Sequence, residues 1–91
     1  MNRIEKQIII VNKLGLHARA ATELVKVANQ FDAKVTLHQG EKSASANSVL
    51  GLMMLESSLG KKVNVISEGN DAEAALKAVE TLIVDKFNEE E

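Results

Sequence analysis

Cysteine is absent from this 91-residue chain. Disulfides, thiolate zinc sites and cysteine nucleophiles are therefore excluded, and the absence fits the cytosol. Aromatic residues are scarce: there is no tryptophan or tyrosine, and the two phenylalanines are Phe31 and Phe87. Basic charge is not in excess, with 11 Lys and Arg against 13 Asp and Glu for a formal net charge of −2. A nucleic-acid surface needs a basic face or stacking rings, so nucleic acid is not an expected partner. The two histidines have no carboxylates gathered around them at ligand spacing, and neither a metal site nor a cofactor is expected. No apolar run approaches the ~20 residues of a membrane span, so no membrane partner is expected. The N-terminal apolar run, residues 8–11 behind Glu5 and Lys6, is too short for a signal peptide.

What is present fits one globular domain over residues 1–91, with 45% hydrophobic and 26% charged residues. Residues 4–11 alternate as a strand, with Ile4, Lys6, Ile8 and Ile10 on one face; Lys6 weakens the pattern. Residues 18–30 carry a helical stripe of Ala21, Leu24, Val25 and Ala28. Residues 33–38 form a second strand with Val35 and Leu37 inward, and residues 42–45 a short polar edge strand. Asn47 and Ser48 offer capping side chains to a short helix over residues 49–55. Residues 61–67 give a fourth strand with Val63 and Val65 inward. The last helix opens at Gly69-Asn70-Asp71, with Glu73 placed as the reciprocal partner of an Asn70 cap. Its stripe is Ala72, Leu76, Val79, Ile83 and Phe87, with Ala75 and Leu82 beside it. The acidic end, residues 88–91, puts negative charge at the unfavourable end of a helix and is expected to fray. The order β-α-β-β-α-β-α specifies a two-layer α/β sandwich with helices on one face of a mostly antiparallel sheet. Periodicity leaves the strand order open, since a ferredoxin-like arrangement has the same element string.

The chemistry concentrates in Gly15-Leu16-His17-Ala18-Arg19-Ala20-Ala21. Gly15 permits a tight loop, and His17 falls at a strand-to-helix junction. Backbone N–H groups at a helix start lack intrahelical partners and carry the positive end of the macrodipole, a combination that binds phosphate. Arg19 adds a planar fork of donors, and an imidazole beside such a site is a nucleophile for phosphoryl transfer. No carboxylate lies near His17 in the sequence to offset that positive field. The commoner role for a histidine at such a boundary is a cap or a surface residue.

Gly15-Leu16-His17-Ala18-Arg19 resembles the active-site motif of the HPr family, the histidine phosphocarriers of the phosphoenolpyruvate-dependent phosphotransferase system. Residues 42–55, Lys-Ser-Ala-Ser-Ala-Asn-Ser-Val-Leu-Gly-Leu-Met-Met-Leu, resemble that family's regulatory-serine segment. The two lie at the family's separation, and the similarity runs through essentially the whole chain. The resemblance implies an open-faced α+β sandwich of four antiparallel strands in the order 1-4-2-3 with three helices. It implies a cytoplasmic, monomeric carrier and not an enzyme with turnover of its own. His17 would take a phosphoryl group on Nδ1 from enzyme I and pass it to an EIIA-type protein. Arg19 would steady the phosphoryl oxygens. Ser48 aligns with the serine that a kinase modifies in some members, and Val49, Leu50 and Met53 match docking positions, with Leu52 and Leu55 then pointing inward. Ala20 stands where the familiar motif has proline; alanine keeps a backbone N–H that proline lacks. Residues 47–50, 53–58 and the acidic end are similar to the nitrogen-related branch, NPr. The rival readings on the same sandwich are a small-molecule regulatory module and a protein-interaction module. Neither accounts for His17 and Arg19 at a helix start.

Overall fold

The structure, a computed structural model, describes residues 2–89. The elements run β1 (Arg3–Ile9), α1 (Ala18–Ala28), β2 (Lys34–Gln39), β3 (Lys42–Ser45), α2 (Val49–Met54), β4 (Lys62–Glu68) and α3 (Ala72–Val84), followed by a short turn at Lys86–Asn88. The four strands form one antiparallel sheet in the order β1-β4-β2-β3. Element types, strand order and fold class are as the sequence and its resemblance led us to expect.

Period-two patterning sets the register. Ile8 pairs with Val63 across β1 and β4, and Leu37 pairs with Val65 across β2 and β4. A slip of one residue would turn these side chains to the open face of the sheet. The helices cover the other face, where Ile10, Leu24, Leu37, Val63, Val65, Val79 and Ile83 are fully buried. Lys6, which interrupts the inward alternation of β1, reaches past the core so that its Nζ lies 2.5 Å from Glu80 on α3. The long stem lets the charge remain in water while its residue keeps the inward register.

Two sequence expectations are corrected. Asn70 does not cap α3: its Nδ2 donates to Asp32 Oδ2 at 2.8 Å, and Asp71 occupies the cap position without a side-chain cap bond. The Asp71 carboxylate instead accepts from the Asp32 backbone N–H at 2.7 Å, tying the α1–β2 loop to the start of α3. The second correction lies at the other end of the helix. α3 stops at Val84, and Lys86, Phe87 and Asn88 have φ of 59°, 55° and 66°. Phe87 is still fully buried, so the apolar stripe continues through a left-handed turn and not through a helix. That turn brings Glu89 back onto the molecule, so the expected fraying does not hold at Glu89; Glu90 and Glu91 lie outside the described residues.

Candidate functional site

The loop between β1 and α1 is built on fixed anchors. Ile10 and Leu16 are buried, and the backbone between them is stitched to the segment that follows α2. Ile10 N donates to Lys61 O at 2.9 Å, Gly60 N to Ile10 O at 2.8 Å, and Leu16 N to Ser57 O at 2.8 Å. Gly15 has a φ of +67°, and a Cβ there would lie 2.4 Å from Ser57 O. The loop has this shape only because the residue is glycine.

His17 follows as the cap residue of α1, with extended backbone and a carbonyl accepting from Ala21 N at 2.8 Å. Its side chain makes no capping bond, and is 28% exposed. The N–H groups of Ala18, Arg19 and Ala20 are the first of the helix and have no partners within it. Arg19 is exposed at the second helical position, while Ala20 is fully buried. The imidazole, the positive helix end and the guanidinium thus share one edge of the fold.

Two further residues belong to this site, and sequence reasoning missed both. Glu89 Oε2 lies 2.5 Å from His17 Nε2, and Glu89 Oε1 accepts from Asn12 Nδ2 at 3.0 Å. Asn12, fully buried, uses the same amide nitrogen to donate to Gly15 O at 2.8 Å. The expectation of no carboxylate near His17 holds in the sequence and fails in space. Burial of the Glu89 carboxyl opposes ionisation, but hydrogen bonds from Asn12 and His17, and the nearby charge of Arg19, outweigh it. They hold the carboxyl below its ordinary range. The one signal in the sequence was Phe87, an apolar residue continuing the α3 stripe so close to the acidic end. Among the described residues no group of three or more histidines and carboxylates is placed to hold a metal ion.

The second block is arranged around α2, which packs against α1 and β3. Ser48 caps it, its Oγ accepting from Gly51 N at 3.0 Å. Leu52 and Leu55 are buried, as expected, whereas Leu50 is 69% and Met54 65% exposed. Met53 is 39% exposed, and Val49 is half-buried against the core. The exposed apolar face is therefore carried by Leu50, Met53 and Met54, with Val49 at its margin. Leu14, on the His17 loop, is exposed as well.

The fold is shared with known proteins. The family model described as "PTS HPr component phosphorylation site" matches residues 4–85. The phosphocarrier protein NPr of Shewanella violacea is 55% identical over 89 residues, covering 98% of each chain. That of Escherichia coli K12 is 41% identical, with 96% of this chain and 98% of that protein covered. Among solved structures, HPr-C-His from Thermoanaerobacter tengcongensis matches with a TM-score of 0.91 at 41% identity, over 97% of this chain and 99% of that one. The chain belongs to the HPr family, phosphocarrier proteins of the phosphotransferase system that relay phosphoryl groups and are not enzymes. Its likeness to the two NPr proteins puts it on the NPr branch.

Proposed function

We propose that the chain, as one cytoplasmic domain over residues 1–91, takes a phosphoryl group from enzyme I on Nδ1 of His17 and delivers it to an EIIA-type acceptor. The observation that carries this reading is the His17 side chain. It occupies the cap position of α1 without capping, beside three N–H groups that have no helical partner. Phosphoryl transfer asks for positioning and charge stabilisation more than for covalent work by the protein. The helix end offers both without moving, and Arg19 supplies a second set of donors to the phosphoryl oxygens.

Docking to donor and acceptor falls to Leu50 and Met53 with Val49 at the margin. Flexible, polarizable side chains of this kind suit a surface that must meet more than one partner. Ser48 caps α2 whatever else it does. As the target of a serine kinase it would carry a phosphate of about −1.5 to −2 charge onto the rim of that apolar face, hindering partners that meet it. On this reading the carrier is a monomer, and its output is regulatory.

The test is transfer from phosphoenolpyruvate through purified enzyme I of the sugar type and of the nitrogen type, read by intact mass. We expect one phosphoryl group per chain, gained faster from the nitrogen-type donor. No gain from either donor would overturn the reading.

A further inference from the structure

We propose that Glu89 is a positioning residue for His17: its carboxylate, braced by Asn12, holds the ring proton on Nε2 and leaves the Nδ1 lone pair to take the phosphoryl group. The inference rests on His17 being the acceptor, as read above.

An ionised carboxylate can only accept hydrogen bonds, so the 2.5 Å contact from Glu89 Oε2 places a hydrogen on His17 Nε2. A neutral imidazole has one N–H, and Nδ1 is then the nucleophilic nitrogen. The carboxylate is itself held from two sides. Asn12 Nδ2 bonds both Glu89 Oε1, at 3.0 Å, and Gly15 O, at 2.8 Å, so one buried amide grips the tail and the loop that ends in His17. Phe87, fully buried two residues before Glu89, fixes the direction of the tail. Three successive residues with positive φ turn the chain back toward the site, a conformation that L-residues rarely adopt and that the Phe87 anchor maintains.

The arrangement serves both directions of transfer. As the Nδ1 lone pair forms the P–N bond, the bond from phosphorus to the donor's leaving atom breaks and its electron pair departs with the donor. The ring, now substituted on both nitrogens, is positively charged and lies against the Glu89 carboxylate. On release the P–N pair returns to Nδ1. The hydrogen on Nε2 stays in place throughout, so neither step waits for a proton to move.

Ring-nitrogen NMR of the unphosphorylated protein tests the contact directly. The wild type should show a downfield, slowly exchanging Nε2–H, which Glu89→Ala should lose and Glu89→Gln, which keeps an acceptor oxygen, should retain. Phosphorylation of His17 should slow by about 10–100-fold in Glu89→Ala, by analogy with the loss when a residue orienting a metal-bound histidine is removed. Phe87→Ala should reproduce this loss by displacing the tail. The slowing should occur with enzyme I and with phosphoramidate, a small donor that needs no docking surface. A ring hydrogen on Nδ1, an unchanged rate in Glu89→Ala, or slowing with enzyme I alone would each overturn the proposal. A wild type that gains no phosphoryl group on His17 would overturn the acceptor reading instead, and the ring N–H signal would still judge the Glu89 contact.

Discussion

Gly15 meets two demands with one missing methyl group. Its φ of +67° disfavours any side chain, and the space a Cβ would fill belongs to Ser57 O at 2.4 Å and Ser58 Cα at 2.8 Å. Strained backbone of this kind costs on the order of 1–3 kcal/mol, and the clash adds to it. Gly60 is the natural comparison, since its φ is +89° but nothing lies within 4 Å of a Cβ there. Gly15→Ala should therefore destabilise by about 2 kcal/mol more than Gly60→Ala in urea melts, within the roughly 1–3 kcal/mol that overpacking costs. It should also lose the fixed ring geometry of His17, two residues on. Equal losses in the two variants would mean that the loop adapts and that the Ser57 contact does not shape the site.

At the scale of elements, α2 divides its apolar residues between two tasks. Leu52 is fully buried and Leu50 is 69% exposed, although only one residue separates them. Leu52→Ala should cost roughly 2–5 kcal/mol in thermal or denaturant melts. Leu50→Ala should stay within about 0.5 kcal/mol while slowing transfer from enzyme I. Normal transfer in a stable Leu50→Ala would show that the exposed face is not used for docking. Spacing groups Leu50 with Met53 and the family resemblance says which face is outward, whereas the inward pairs Val35 and Leu37, and Val63 and Val65, were legible from alternation alone. What spacing did not reveal was polar geometry. Asn70 and Glu73 have the sequence of a capping pair, yet the helix start was claimed by Asp32 from another loop. Lys6 broke the strand pattern on paper, and only the position of Glu80 on α3 explains why it is tolerated. Local pattern specifies which face is apolar; partners distant in the chain decide where polar side chains turn.

At the scale of the whole molecule, the fold brings the β1–α1 loop and the segment after α3 to one site. Glu89 and His17 are 72 residues apart, and no local signal links them. His17, Arg19 and Ser48 could be found from short motifs, whereas Glu89 and Asn12 needed the fold. The acid dependence of stability follows from the same contact. A carboxyl whose folded value is lowered stabilises the native state above its unfolded value, about 4.3, and that contribution is lost as pH falls through the folded value. Wild type should thus be more stable than Glu89→Gln near neutrality, and the difference should close in acid below the ordinary carboxylate range. Melts of both proteins across this range measure it, and a gap independent of pH would show that the Glu89 charge is not engaged. The central claim, that His17 carries the phosphoryl group, is tested most directly by phosphorus NMR of protein treated with enzyme I and phosphoenolpyruvate. One acid-labile phosphoimidazole signal, coupled to Nδ1 of His17 and absent in His17→Ala, is the result predicted; labelling that persists in His17→Ala would contradict it.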